Sequence, residues 1–347
     1  MQYTRLGNSG LIVSRLAFGA MTFGNDPSQP AIYKVNRENA KTMIAKALDA
    51  GINFFDTADL YGGGQSEVML GEQLGKRRND VVIASKVGFR TGEPIAQAGL
   101  SRRHILASCE ASLNRLNTDY LDLYILHKED PCTPIDETLE ALNDLVHSGK
   151  VRYIGYSNWP AWRAAAALQI QKERGWAQFT SGQMYYSLLG RDVEHEVVPF
   201  MLAAGLSLNV WSPLAGGFLS GKYTRETLHQ SDHRLSGFDF LPFDKEHGFH
   251  VVEKMGDIAQ AHQSSIAQIA IAWLFAKPVV GSVIIGASKV SQLEDNLAAI
   301  EIKLSESDLG ALDKITAPPR LYPHWFNDST IDVKHKELLG CNYPGNK

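Results

Sequence analysis

The sequence predicts an α/β protein, a (β/α)₈ barrel of the TIM type in a single domain spanning 1–347. Three observations carry that expectation. Eight short runs rich in β-branched and apolar residues recur along the chain, and amphipathic helical periodicity follows them. The runs are apolar nearly throughout, as strands buried on both faces must be. The only glycine cluster after a strand, Gly62 to Gly64, lacks the G-x-G-x-x-G spacing that a doubly wound dinucleotide-binding sheet, the alternative, would carry.

In chain order, residues 1–15 form an N-terminal extension in which Tyr3 to Ser14 reads as a hairpin turning at Asn8, Ser9 and Gly10. The expected strands are Leu16 to Met21, Asn53 to Ala58, Val81 to Val87, Tyr120 to His127, Val151 to Asn158, Phe179 to Tyr186, Leu206 to Pro213 and Ser282 to Ser288. Ala40, Met43, Ile44, Ala47 and Leu48 share one helical face before Gly51 stops the helix, and Ile105, Cys109, Leu113 and Leu116 repeat the pattern. Thr133, Pro134 and Asp136 read as cap, first-turn proline and first-turn carboxylate of a helix carrying Leu139, Leu142 and Leu145 to Gly149. Further helices are expected around Glu196 to Ala204, Ser265 to Lys277 and Val290 to Ala299. Besides that N-terminal start, two segments exceed the repeat: a lid-like insert at 215–248 after the seventh strand, and a C-terminal tail at 317–347, expected over the barrel mouth.

Composition narrows the functional classes. With 34 basic and 38 acidic residues, a net charge of −4 and no block of like charge, neither nucleic acid nor an anionic membrane is an expected partner. No secretory signal is read in Met1 to Arg15, and no apolar run approaches a membrane span. Cys109, Cys132 and Cys341 form no metal or redox spacing, so no metal is expected and a cytoplasmic setting is.

Catalytic groups of such a barrel sit where the strands end. Asp56, Lys86 and His127 terminate three consecutive expected strands, and Tyr61 follows Asp56 beside three glycines that let the backbone bend. Neighbouring strand ends lie roughly 5 Å apart, so the four side chains can converge. A lysine ammonium about 4 Å from a phenolate stabilises it by about 4 kcal/mol at an effective dielectric of 20, which is about three pKa units of depression. Asp56 would keep Lys86 protonated, and His127 would hydrogen-bond the same oxygen. Tyrosine then becomes a general acid for an oxygen gaining negative charge. Singly, each residue has a plainer reading, as turn former, solvated cation, core histidine or loop aromatic. Their joint placement on successive strand ends favours the catalytic one.

These residues, in their segments, resemble the aldo-keto reductase superfamily. The likeness runs through Tyr3 to Gly24, Gly51 to Gly62, Ser85 to Gly88, Leu113 to His127, Gly149 to Asn158, Trp211 to Tyr223 and Gly286 to Asn296. The Trp-Ser-Pro-Leu-Ala run is most similar to bacterial members related to potassium-channel β-subunits and aflatoxin-aldehyde reductases. The resemblance implies a cytoplasmic oxidoreductase reversibly reducing an aldehyde or ketone, with Tyr61 as proton donor, Lys86 and Asp56 tuning it, and His127 orienting the carbonyl. It implies NADPH, in preference to NADH, as cofactor. Ser157, Asn158 and Gln183 would hold the nicotinamide carboxamide, with the ring on Trp211. Ser212, Pro213, Leu214, Gly216 and Lys222 would follow the pyrophosphate, with Gly19, Met21, Thr22 and Asp56 on the opposite wall. Gly286, Ser288, Lys289, Gln292, Asp295 and Asn296 would hold the adenosine at a helix start, with Lys289, and Arg234 from the insert, on a 2′-phosphate. Aromatic residues Phe23, Phe89, Trp159, Trp325 and Phe326, beside Tyr61 and His127, suggest an apolar or polycyclic carbonyl substrate. Monomer and homo-oligomer both stay open. Two other classes remain: an auxiliary subunit that docks a partner, and a Schiff-base aldolase using Lys86, which Asp56 disfavours by keeping the lysine charged.

Overall fold

The computed structural model describes residues 1–26, 29–228 and 234–340, with the side chains of Arg234 and Ser236 left aside. Strands β1 (Tyr3–Arg5) and β2 (Ile12–Ser14) pair antiparallel, with Tyr3 opposite Ser14. Eight parallel strands then close on themselves: β3 (Leu16–Gly19), β4 (Phe54–Asp56), β5 (Val82–Val87), β6 (Leu121–Leu126), β7 (Val151–Ser157), β8 (Phe179–Tyr185), β9 (Ser207–Trp211) and β10 (Val280–Ile285). The molecule is a (β/α)₈ barrel with an N-terminal hairpin, as the sequence predicts.

Strand alternation divides the core in two. Ala17, Phe54, Val82, Ala84, Leu123, Ile125 and Ile284 point into the barrel, where Leu6 and Val13 of the hairpin close one end. The opposite faces pack outward against the helices: Phe18, Phe55 and Ile83 lie in one apolar layer with Met43, Ile105 and Leu142.

The helices are α1 (Arg37–Asp49), α2 (Gln65–Leu74), α3 (Arg102–Leu116), α4 (Ile135–His147), α5 (Ala161–Arg174), α6 (Val197–Ala204), α7 (Arg234–Gly237), α8 (Lys245–Ala261), α9 (Ile266–Phe275), α10 (Val290–Ala298), α11 (Glu306–Ile315), α12 (His324–Ser329) and α13 (Val333–Leu339). Side chains of Asn36, Ser101, Asp244 and Ser265 accept backbone N–H groups at the starts of α1, α3, α8 and α9. No helix among the described residues is long and apolar enough to cross a membrane.

Several boundaries differ from expectation. Thr133 does not cap α4; its hydroxyl donates to Asp130 at 2.7 Å, and Pro134 takes the cap position. The insert ends earlier than 248, because Asp244 starts α8 at Lys245. Gly248 and Gly256 inside α8, and the alanine run of α5, blur the polar and apolar contrast that marks a helix. The last strand begins and ends earlier than expected, which leaves Gly286 to Ser288 in the loop before α10. The tail is expected over the mouth, but none of its described residues, 317–340, lines the central cavity; 341–347 lie outside the described residues. It lies instead against the entry to α6, where His324 meets Glu196 at 3.1 Å and stacks on His195.

Candidate active site

A cavity of about 970 Å³ opens at the C-terminal ends of the strands, within the size range of small-molecule sites. Asp56 is the last residue of β4, Lys86 lies one residue from the end of β5, and His127 directly follows β6. Parallel pairing sets Asp56 beside Ala84 and Lys86 beside Ile125, and His127 N–H donates to Val87 O at 2.8 Å. Tyr61 enters from a tight turn, Tyr61–Gly64, in which Gly62, Gly63 and Gly64 all have positive φ. At Gly64 the left-handed backbone favours glycine, and a Cβ would meet Arg115 Cδ at 2.7 Å and displace a side chain that Glu67 holds.

The four side chains converge. Lys86 Nζ, fully buried, donates to Asp56 Oδ1 at 2.6 Å, to Thr57 O at 2.7 Å and to the Tyr61 hydroxyl at 3.3 Å. Gln183 Nε2 donates to the other Asp56 oxygen at 2.8 Å. The Tyr61 and His127 rings meet edge to face at 5.8 Å, and Phe89 meets His127 likewise at 4.8 Å.

Electrostatics depart from the sequence argument at one point. Burial pushes the Tyr61 phenol above its usual pKa, and the Lys86 charge offsets this only in part, so the expected net depression does not occur. Burial acts to lower the Lys86 pKa, but the charges and hydrogen bonds of Asp56 and Tyr61 outweigh it and hold the ammonium protonated. Burial, then Lys86, drive His127 well below the usual histidine range, so its imidazole is neutral at pH 7; its Nδ1 is buried without a partner. The cluster therefore holds one proton on a phenol, one cation beneath it and one neutral imidazole beside it. It can give a proton to an oxygen in the cavity while the charge left behind faces a cation.

Asn158 and Ser212, both non-glycine at positive φ (58° and 52°), follow β7 and β9 and continue the rim on from His127. Asn158 spends both amide protons on protein, donating to His127 O and Ser157 Oγ, and its oxygen accepts from Trp211 Nε1 at 3.0 Å. Trp211 carries Phe240 of the insert stacked at 6.0 Å and 14°, with Tyr185 tilted against it at 5.2 Å. Ser157, Gln183, Pro213, Leu214, Gly216 and Lys222 line the cavity along this side, with Gly19, Met21 and Thr22 across from them. At the far end Gly286, Ser288, Lys289, Gln292, Asp295 and Asn296 line it. A Cβ on Gly286 would meet no protein atom within 4 Å, so the backbone there borders open space in the cavity. Gln292 Oε1 accepts from Ser288 N, Ser288 Oγ and Lys289 N, so the helix-start amides expected to face a phosphate already have a partner. Asp295 is held by Ser265 and Gln268.

Some expected mouth residues lie elsewhere. Phe23 is buried against Phe18, and Trp159 is buried against Tyr156 and Phe179, both in the layer between barrel and helices. Trp325 and Phe326 are exposed on the tail, and the Arg234 side chain lies outside the described residues. The aromatic wall consists instead of Phe89, Tyr33 and the insert residues Phe238 and Phe240, with Ile32 and Leu60. Of these, sequence pattern marks Phe89 alone; the others sit in connecting loops, where no periodicity reports the direction of a side chain.

The profile of the Aldo/keto reductase family matches residues 15–317. The chain is 34% identical over 344 residues to versiconal hemiacetal acetate reductase of Aspergillus parasiticus, covering 93% of this chain and 99% of that one. It is 38% identical over 339 residues to the oxidoreductase YrpG of Bacillus subtilis, covering 92% and 97%. It is 36% identical over 311 residues to a probable voltage-gated potassium channel subunit beta of Oryza sativa, covering 87% and 92%. A barrel whose strand ends gather a phenol, a lysine, an aspartate and a histidine is thus matched over nearly all its length, and the chain belongs to the aldo/keto reductase family of oxidoreductases.

Proposed function

We propose that the protein reversibly reduces an aldehyde or ketone to an alcohol with NADPH, and that Tyr61 supplies the proton. The observation that carries this reading is the Lys86 ammonium 3.3 Å from the Tyr61 hydroxyl at the floor of the cavity. When bound, reduced nicotinamide supplies a hydride to the carbonyl carbon. The carbonyl oxygen then takes the Tyr61 proton. Burial keeps that phenol protonated at neutral pH, so the acid form is available, and Lys86 stabilises the phenolate left behind. Asp56 holds Lys86 charged and directed, and Gln183 holds Asp56. Neutral His127 can hydrogen-bond the carbonyl oxygen without adding a competing charge.

For the cofactor, the open space over Gly286 and a cavity of about 970 Å³ lined by both Ser157 and Lys289 fit a dinucleotide, with Ser157 and Gln183 near its nicotinamide and Lys289 near its adenosine. Lys289 lines the cavity and forms no ion pair among the described residues, and a 2′-phosphate would supply its counter-charge, favouring NADPH over NADH. Seating a nicotinamide on Trp211 requires Phe240 to shift, which gives the insert a covering role and cofactor-first binding. Phe89, Tyr33, Phe238 and Phe240 favour an apolar or aromatic carbonyl, in keeping with a relative named as a reductase of versiconal hemiacetal acetate.

Relatives named as channel β subunits support a second reading, an auxiliary subunit that docks a partner. Steady-state NADPH oxidation with a panel of aldehydes and ketones separates the two. Turnover is expected, and Tyr61→Phe lowers it by about 10² to 10⁴-fold while NADPH affinity stays within a factor of a few. Absence of turnover supports the docking reading, and parallel loss of binding and turnover removes Tyr61 from the proton step.

A further inference from the structure

We propose that Asp59 is a positioning residue, a buried acid whose charge state governs the packing of the Asp56–Tyr61 segment and thereby the seating of the Tyr61 hydroxyl on Lys86. The inference rests on the reading of Tyr61 as proton donor. Asp59 stands midway between Asp56 and Tyr61 in the run DTADLY. Its segment is tied to the barrel by Thr57 N–H on Ala84 O and Asp59 N–H on Lys86 O, and Thr57 O is itself a Lys86 acceptor. Movement at Asp59 therefore acts on both Lys86 and Tyr61.

Asp59 is 3% exposed, and no side chain hydrogen-bonds either carboxyl oxygen; the adjacent Leu60 N–H is close enough to favour the anion but falls short of a well-formed hydrogen bond. The titratable and charged groups around it come from four elements. Glu67 of α2 is fully buried and spends its oxygens on Ser85 and on Arg115 of α3, the latter at 2.6 Å. Lys86 of β5 is committed to Asp56, Thr57 and Tyr61. Tyr124 of β6, buried and raised well above its usual pKa, contributes no charge near neutrality. Two carboxyl groups thus share one arginine that is engaged with Glu67, and Asp59 lacks a counter-ion of its own. An unpaired buried carboxyl carries a proton instead of a charge. Burial, then Glu67, push Asp59 up to about 7, against Arg115, the Leu60 N–H and Lys86.

Around neutrality the proposed catalytic groups are silent, since His127 titrates far below and Tyr61 and Lys86 above. Below pH 7 the neutral Asp59 packs and the segment holds. Above it, the anion competes for Lys86 or draws in water, and either pulls the segment away from the Tyr61 contact.

The test compares the wild type with Asp59→Asn, which fixes an uncharged group of the same shape. The first measurement is kcat at saturating NADPH and carbonyl from about pH 6 to pH 8. The expected result is a fall of about tenfold in the wild type through a single transition, absent in D59N, which keeps the acid-side rate throughout. A flat wild-type profile overturns the proposal whether or not D59N folds, and so does a transition that D59N retains. The second measurement is hydrogen exchange of the peptide spanning 56–67 on either side of pH 7, corrected for intrinsic exchange. Loosening above pH 7 in the wild type alone supports the proposal; identical behaviour overturns it. Exchange reads no activity, so a wild type that reduces no carbonyl refutes the reductase reading while exchange still decides the role of Asp59.

Discussion

Lys86→Met removes the cation under Tyr61 while keeping most of the side-chain volume. At 3.3 Å and an effective dielectric of 20, the ammonium and a phenolate attract by about 5 kcal/mol. If that attraction acts mainly as the phenolate forms, its loss lowers kcat by about 10³ to 10⁴-fold. Lys86 does not line the cavity, so NADPH affinity should hold within a factor of a few. The same substitution strips Asp56, 4% exposed, of its ion partner and leaves Gln183 as its remaining side-chain donor. Breaking a buried pair in this way costs about 3–5 kcal/mol of stability. The assay is NADPH oxidation with a carbonyl that the wild type reduces, run beside denaturant unfolding. The double variant Asp56→Asn/Lys86→Met separates the two effects: it should recover much of the stability, because no unpaired charge remains, and none of the rate. A K86M protein within tenfold of wild-type kcat, or a double variant that regains activity, would refute the electrostatic account of Tyr61.

Two further outcomes are expected. Lys289→Glu should shift preference from NADPH towards NADH by about 10- to 100-fold in kcat/KM, through the NADPH KM; an unchanged ratio would place the 2′-phosphate elsewhere. Asp59 also makes stability depend on pH. Its pKa rises on folding from 3.8 to about 7, so the folded state binds this proton more tightly; the contribution is complete at acid pH, is lost as pH rises from about 4 to 7, and is constant above. The span is at most about 4 kcal/mol. The difference in unfolding free energy between wild type and D59N should therefore change across that window, and parallel curves would deny the titration.

What could be read from the chain and what could not divide along a physical line. Period and composition are local, and they specified the alternation of strands and helices, the hairpin, and the polar residues Asp56, Lys86 and His127 that interrupt apolar strands where a barrel keeps its chemistry. The glycines after Tyr61 likewise announced a turn, because only that residue type tolerates three successive positive φ values at low cost. Which aromatic residues face the cavity was not local. Trp159 and Phe23 turn into the layer beneath the helices, whereas Phe238 and Phe240 arrive from an insert whose path no periodicity describes. Gln183 meets Asp56 across 127 positions of sequence, a contact made by barrel closure. The sign of the Tyr61 shift depended on the same closure: a sequence places a cation near a phenol, but only packing determines how much water both have lost, and here that loss outweighs the attraction. For the same reason Asp59, an ordinary acid in a loop by its sequence, has its pKa raised to about 7 once α2, α3 and β5 enclose it.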